Sequence, residues 1–94
     1  MTFNDSFKAL SDPTRRKILE MLTKRDLSVN EIAEAFHISQ PSISRHLSVL
    51  KHADLVSDER QGQKIIYSIN TSVFESIMRW LLELKDKGET THEQ

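Results

Sequence analysis

One stretch constrains the fold most, the segment 39–51 with the sequence Ser-Gln-Pro-Ser-Ile-Ser-Arg-His-Leu-Ser-Val-Leu-Lys. Ser39 can cap a helix, because its hydroxyl can accept a hydrogen bond from a free amide of the first turn. Pro41 falls in that turn, where its missing N–H costs nothing. The apolar residues recur at i, i+4 and i+7 and predict one buried stripe, formed by Ile43, Leu47 and Leu50.

The opposite face of this predicted helix is suited to a DNA groove. It carries small hydroxyls, an amide and an arginine, and no Asp or Glu occurs between Glu34 and Asp54. Such a face can approach phosphates without repulsion and offer donors and acceptors to base edges. The alternative is a solvated amphipathic helix, but solvated faces usually carry Glu and Lys. We predict that bases are contacted by Gln40, Ser44 and Arg45. Positioning contacts to the phosphate backbone are expected from Ser39, Ser42 and His46.

A shorter helix precedes this one and completes a helix-turn-helix over residues 28–53. Ser28-Val29-Asn30-Glu31 has the form of a capping box, in which Ser28 and Glu31 bond to each other's amides. His37-Ile38 is then a turn that leads into Ser39. Two short helices joined so tightly are typical of DNA-binding proteins.

A β-hairpin is predicted after the helix-turn-helix. The segments 56–61 and 64–69 show an alternating pattern on either side of Gly62. A hairpin directly after a DNA-contacting helix is a wing, here residues 56–69. Its tip carries Arg60 and Lys64, which we expect to contact a neighbouring minor groove or the backbone. A solvated hairpin end is the alternative.

The N-terminal part predicts two helices, the first over residues 2–10 and the second from Pro13 to about Lys24. Arg15 and Arg16 fall in the first turn of the second helix, where cations oppose the helix dipole. Either an anionic partner or ion pairs within the fold can explain them. Both arginines are therefore candidate phosphate contacts.

The last predicted helix covers residues 72–87 and ends at Gly88, with a disordered polar tail over residues 89–94. Its apolar residues fall into two sectors, whereas a surface helix needs one stripe of roughly 100°. The second sector needs another surface, which a homodimer supplies. We predict that the dimer interface is formed by the helices 2–10 and 72–87, with Phe3, Phe7, Phe74, Met78 and Leu82.

Composition limits the remaining classes. A chain of 94 residues allows one domain, here residues 1–94, and its core is thin enough to favour a partner chain. The absence of cysteine removes thiolate metal sites and is compatible with a cytoplasmic protein. We expect no secretory signal and no membrane insertion, because no apolar run approaches the roughly 20 residues of a spanning helix. No nucleophile motif or Gly-rich phosphate loop is present, so neither enzyme activity nor a cofactor is expected.

Three segments together resemble the ArsR family of bacterial winged-helix repressors, and within it the SdpR-like autorepressors. They are Ser11-Asp12-Pro13-Thr14-Arg15-Arg16-Lys17-Ile18-Leu19, then Ile38-Ser39-Gln40-Pro41-Ser42-Ile43-Ser44-Arg45-His46-Leu47, and Arg60-x-Gly62 with Tyr67. The resemblance implies a dimer built from the first and last helices. It also implies binding to an imperfect palindrome in the protein's own promoter and release when an inducer arrives.

The sequence departs from the family pattern in three places. Many members have Gly at the turn between the two helices, where this chain has His37, a residue that can adopt a left-handed conformation at some cost. Metal-sensing members carry two cysteines entering the third helix, and Ser28 and Asn30 stand in their place. A second family site uses a His on the last helix, which is absent before Gly88. No metal site is therefore expected.

The sequence as a whole predicts a mainly α protein with a small β-hairpin, in the order α-α-α-α-β-β-α, that forms a homodimer. Its function is expected to be sequence-specific binding to double-stranded DNA at a palindromic operator, as a repressor of its own operon. The alternative is a winged-helix module for protein–protein contact without a specific DNA site. A metal sensor with an oxygen and nitrogen site is the third alternative. The release signal is left open between a small inducer, a sequestering protein and a membrane partner.

Overall fold

The computed structural model of the protein describes the backbone of residues 3–92 and the side chains up to residue 88. Within these residues, five helices accompany a three-stranded antiparallel sheet of order β1-β3-β2. The helices are α1 (Phe3–Leu10), α2 (Pro13–Leu22), α3 (Val29–Phe36), α4 (Gln40–His52) and α5 (Thr71–His92). The strands are β1 (Leu27–Ser28), β2 (Val56–Gln61) and β3 (Lys64–Ile69).

The core lies between α2, α3, α4 and the sheet. The predicted stripe of α4 is fully buried, and Val73 and Ile77 close the core from the first turns of α5. Burial of such side chains contributes roughly 1.5–3 kcal/mol each, so the face that α4 presents to the core is fixed. The largest fully buried apolar residues of the core are Ile18, Ile32, Ile43, Leu47, Leu50 and Leu55.

The helix-turn-helix has the predicted caps. The Ser28 N–H donates to Glu31 Oε1 at 2.9 Å, and the Glu31 N–H donates to Ser28 Oγ at 3.3 Å, so the capping box is complete. Helix α3 ends at His37, which is left-handed at φ 56° and ψ 38°. The next amide, that of Ile38, donates back to the Ala33 carbonyl at 3.2 Å. These bonds let the chain reverse into α4 without a glycine.

One element is missing from the predicted order. The predicted order has no strand before the helix-turn-helix, but Leu27 and Ser28 form strand β1, paired with Tyr67 and Ile66 of β3. Leu27 is buried, which fixes the segment against the sheet. A two-residue strand leaves no alternating pattern, so periodicity cannot detect it. The element order is therefore α-α-β-α-α-β-β-α.

The wing has the predicted strands. Strands β2 and β3 pair from Val56↔Ile69 to Gln61↔Lys64, and Gly62 at the turn has φ 65°, a conformation that glycine adopts without steric cost. Lys51 Nζ on α4 lies 3.0 Å from Asp58 Oδ2 on β2, and this ion pair ties the wing to α4.

The predicted end of the last helix is wrong. Helix α5 continues through Gly88 to His92, so residues 89–92 are helical rather than part of a disordered tail. A glycine inside a helix costs only about 1 kcal/mol relative to alanine and does not by itself end one. Residues 93–94 of the predicted tail and residue 2 of the predicted first helix lie outside the described residues.

Candidate nucleic-acid interface

Helix α4 presents its three predicted base-contacting residues together. Gln40, Ser44 and Arg45 are all exposed; Arg45 lies opposite the buried stripe of Ile43, Leu47 and Leu50, and Gln40 and Ser44 lie on its flank. The first turn contains no acidic residue. The helix can therefore present an amide, a hydroxyl and a guanidinium to base edges, with no carboxylate on the approach.

The first turn of α4 is organised by two serines. Ser39 Oγ accepts from the Ser42 N–H at 3.4 Å and donates to Ser42 Oγ at 3.0 Å. The Ser42 hydroxyl hydrogen then points elsewhere and is available to a phosphate oxygen. The positive end of the helix dipole lies at the same turn and favours an anion there.

Arg15 and Arg16 have partners that the sequence did not reveal. Arg15 Nε donates to the Ala9 carbonyl at 2.8 Å, and Arg15 Nη2 donates to the Lys8 carbonyl at 3.0 Å. Arg16 Nη1 donates to the Leu10 carbonyl at 2.7 Å. Neither the expected carboxylate nor a phosphate is needed to explain these two cations, because they cap the C-terminal end of α1. Their predicted DNA contacts remain predictions.

His46 is less free than its neighbours on α4. The ring is partly buried, and its Nδ1 atom lies 3.4 Å from Arg15 Nη1. An arginine nitrogen can only donate, so a hydrogen bond at this contact uses Nδ1 as the acceptor, and a neutral ring then carries its hydrogen on Nε2. An Nε2–H group that is oriented in this way is a suitable donor to a phosphate oxygen.

The wing tip carries its two cations at the surface. Arg60 and Lys64 are exposed, and Arg60 Nε donates to the Gly62 carbonyl at 3.2 Å. The Asp58 carboxylate near the tip pairs with Lys51, and the hydrogen bond from Lys51 to Asp58 raises the pKa of that lysine. The carboxylate charge is thus largely offset at the base of the wing.

A polar groove connects the wing to the two helices. Its lining includes Asn30 at the start of α3, Gln40 at the start of α4, and Gln63 and Lys64 at the wing tip. Asn30 and Gln63 were not predicted as site residues. Their proximity to Gln40 follows from the way the wing folds back, which no short-range pattern encodes. A DNA backbone that passes between α4 and the wing would meet these two amides.

A second surface is apolar rather than polar. Beyond Ile77, helix α5 leaves the core, and Met78 and Leu82 are 60% and 55% exposed. The molecule is elongated, 59 × 23 × 23 Å, in keeping with this projection. Among the side chains that the structure describes, the large apolar ones that remain exposed are Phe7, Ile65, Met78, Trp80, Leu81, Leu82 and Leu84. All but Ile65 lie on α1 and α5.

The predicted interface residues divide into two groups. Met78 and Leu82 are exposed as expected, but Phe74 is partly buried and packs against the core, so its assignment to a sector without an intrachain partner is wrong. Phe3 and Phe7 pack on Trp80, with ring centroids 5.7 and 5.9 Å away. Trp80 therefore joins α1 to α5 at the surface.

No group of three or more His, Asp or Glu side chains that could hold a metal ion occurs within the described part of the chain. The chain contains no cysteine. Zinc typically needs three or four ligands of these types.

None of the helices between residues 3 and 92 has an apolar stretch long enough to cross a bilayer.

The sequence matches one family. Residues 12–58 match the profile described as bacterial regulatory protein, arsR family. The transcriptional repressor SdpR of Bacillus subtilis (strain 168) is 52% identical over 86 residues, which span 92% of this chain and 96% of SdpR. The arsenical resistance operon repressor of Staphylococcus xylosus is 36% identical over 83 residues, which span 86% of this chain and 80% of that protein.

Several other curated relatives are longer, and the chain spans between 46% and 61% of their length. Among solved structures, an ArsR-like transcriptional regulator from Rhodococcus sp. RHA1 superposes with a TM-score of 0.90. The two chains are 28% identical, and the match covers 95% of this chain and 82% of the other. The fold is thus that of known regulators over nearly the whole chain.

Proposed function

Because the chain belongs to the ArsR family of bacterial regulatory proteins, we propose that it is a transcriptional repressor that binds a palindromic DNA operator as a homodimer. The observation that carries the proposal is the exposed surface of α4, which has no acidic residue and carries Gln40, Ser44 and Arg45. Its similarity to SdpR, a protein named as a transcriptional repressor, supports repression as the outcome of binding.

The contacts divide into two classes by chemistry. Gln40 and Arg45 carry side chains that form paired hydrogen bonds with adenine and guanine edges, and Ser44 can bond to either base. The exposed hydroxyls of the first turn, together with Arg60 and Lys64 at the wing, suit phosphate oxygens. The net charge of −1 does not oppose this arrangement, because charges beyond a Debye length of about 8–10 Å are screened.

The proposed dimer forms through the apolar surface of α1 and α5. Met78, Leu82 and Phe7 are exposed on one chain, and a second copy can cover them with the same residues. A two-fold axis there places two copies of α4 on one side of the assembly. Two recognition helices related by a dyad match two half-sites of a palindrome, about one helical turn apart.

Repression then follows from occupancy of the promoter. We propose that the operator lies in the promoter of the protein's own gene and that binding excludes transcription there. Release by soft metal ions is not expected, since such ions prefer thiolates and the chain has none. The release signal is proposed to be a small molecule or a sequestering protein. The protein is expected to act in the cytoplasm, where the DNA is.

A binding titration tests the proposal. A labelled fragment from upstream of the gene is compared with an unrelated fragment of equal length, at several salt concentrations. The proposal expects tighter binding to the upstream fragment by a factor of about 10³ or more and a steep loss of affinity with salt. Equal, weak binding to both fragments would contradict it and favour the alternative, a winged-helix module for protein–protein contact.

A further inference from the structure

Arg15 touches two helices that have different tasks. From the first turn of α2, its Nε and Nη2 atoms donate to the Ala9 and Lys8 carbonyls in the last turn of α1. Its Nη1 atom lies 3.4 Å from His46 Nδ1 on α4. One guanidinium therefore spans from the helix of the proposed dimer surface to the helix of the proposed DNA surface.

Helix α1 needs these contacts. A helix of eight residues is too short to be stable alone, and its last carbonyls lack partners within the helix. Arg15 and Arg16 supply donors to three of them, and the Lys8 carbonyl also accepts from the Ser11 hydroxyl at 2.7 Å and the Ser11 N–H at 3.2 Å. Two guanidinium charges at this end also complement the helix dipole. The position of α1 is thus set from α2.

The same contacts leave Arg15 poorly suited to a phosphate. All three of its side-chain nitrogens lie within hydrogen-bonding distance of a protein atom, and the residue is only partly exposed. Moving the guanidinium towards DNA would uncap α1 and release His46. Arg16, by comparison, is exposed and bonds only through Nη1 to Leu10.

We propose that Arg15 is a positioning residue for DNA binding. It fixes α4 relative to α1, and α1 carries Phe7 and part of the dimer surface, so the side chain sets the distance between the two α4 helices of a dimer. It also holds the His46 ring with Nδ1 inward and Nε2–H outward. The inference rests on the proposed function, but it requires no contact between Arg15 and DNA.

Spacing and salt dependence separate the two possible roles of Arg15. The probe is the duplex that the protein protects upstream of its gene, together with versions that have one base pair added or removed at the dyad. We expect Arg15→Lys and Arg15→Gln to remain dimeric and to lose about tenfold or more in affinity for the native duplex. Their preference for native spacing falls, while the slope of log affinity against log salt stays as in the wild type.

Lys17→Gln is the matched control for spacing. It removes one positive charge from an exposed position next to these arginines on α2, so its spacing preference should persist. Arg16→Gln, which removes one cap of α1, is the control for the His46 contact. A slope that falls by about two units in Arg15→Gln, with spacing preference intact, would show two phosphate contacts per dimer and overturn the proposal. Wild-type affinity and spacing preference in Arg15→Lys would overturn it as well.

A measurement without DNA tests the contact itself. In ¹⁵N-labelled free protein, we expect His46 to be the Nε2–H tautomer in the wild type and in Arg16→Gln, and a mixture of tautomers in Arg15→Lys. An unchanged His46 tautomer in Arg15→Lys would sink the inference. The tautomer measurement needs no DNA and therefore tests the Arg15–His46 contact independently. A failure to bind the upstream duplex would instead refute the proposed function. Should Arg15→Gln fail to fold, His46→Leu removes the α4 end of the bridge, together with one proposed phosphate donor, and should relax spacing in the same way.

Discussion

Among single residues, Arg45 is the one for which the loss of a side chain should change sequence discrimination rather than stability. It is exposed on α4, next to the exposed Ser44 and on the side away from Ile43. We predict that Arg45→Ala costs about 1–3 kcal/mol of binding and relaxes discrimination at one base-pair position. Anisotropy titrations with single-base variants of the bound duplex measure both effects.

Two further variants separate a lost base contact from a lost charge and from a loss of stability. Lys24→Ala removes one exposed positive charge on the surface between α2 and α3 and should leave discrimination unchanged. Ile43→Ala opens the core and should destabilise the fold by about 2–5 kcal/mol. An Arg45→Ala protein with wild-type affinity and discrimination would remove this residue from the interface.

The DNA-facing surface of α4 could be predicted because the residues that define it are close together in the sequence. A serine cap, a proline in the first turn, an apolar stripe and an absence of acids all lie within one helix, and the structure places each as predicted. The bonds of Arg15 and Arg16 to α1 were hidden, because backbone carbonyls look the same in every sequence. The groove that brings Gln63 to Gln40 was hidden for a similar reason, since it depends on the tertiary path of the wing.

Whole elements were also predicted where the sequence carries a local signal and missed where it does not. The two long strands and the capping box have repeating or paired signals, and both were predicted. Strand β1 was missed because it is only two residues long. Gly88 is a residue type that often ends helices, but here it lies inside α5. The helix continues past Gly88 because one glycine costs only about 1 kcal/mol relative to alanine, so its presence alone does not fix a helix end.

The cap of α3 gives a prediction about pH. The hydrogen bond from the Ser28 backbone N–H lowers the pKa of Glu31 below its ordinary value of 4.5. Because the folded pKa lies below the unfolded one, the stabilisation is complete above about pH 4.5 and is lost as pH falls through the folded pKa. We predict that Glu31→Gln, which keeps an acceptor oxygen, shows a smaller loss of stability on acidification than the wild type.

Urea unfolding at fixed protein concentration, repeated from neutral to acidic pH, measures this difference. Glu34→Gln is the matched control, since it makes the same change at an exposed position of the same helix. Its acid dependence should follow the wild type more closely than that of Glu31→Gln. Parallel curves for the wild type and Glu31→Gln would mean that the capping box does not respond to protonation.

The wing gives a prediction about salt. Arg60 and Lys64 are exposed at the end of a hairpin that a dimer presents on both outer sides of the operator. We predict that Arg60→Ala weakens binding on all sequences alike and lowers the salt slope by roughly one unit per lost contact. An unchanged slope together with an altered base preference would assign Arg60 to base contacts instead.

For the whole molecule, family membership and the winged-helix fold predicted from the sequence are both confirmed. The dimer remains a prediction, and its test must avoid Phe74, which packs against the core. We predict that Met78→Glu with Leu82→Glu yields a folded monomer, because both side chains are exposed in the single chain. Losing their burial should cost the dimer several kcal/mol, at roughly 1.5–3 kcal/mol per side chain.

Analytical ultracentrifugation and circular dichroism distinguish a monomer from an unfolded chain in this test. Arg79→Glu is the control, since it places a glutamate on the polar side of the same helix, at an exposed residue. It should remain dimeric. A double variant that still sediments as a folded dimer would place the interface elsewhere.

The measurement that bears most directly on the account is a footprint of the intact protein on the DNA upstream of its own gene, with the stoichiometry of the complex determined by mass. A dimer with two α4 helices predicts two protected half-sites related by a dyad, centred about 10–10.5 base pairs or a multiple apart, with two chains per duplex. A single protected half-site with one chain bound, or no protection at all, would contradict a dimeric, operator-binding repressor.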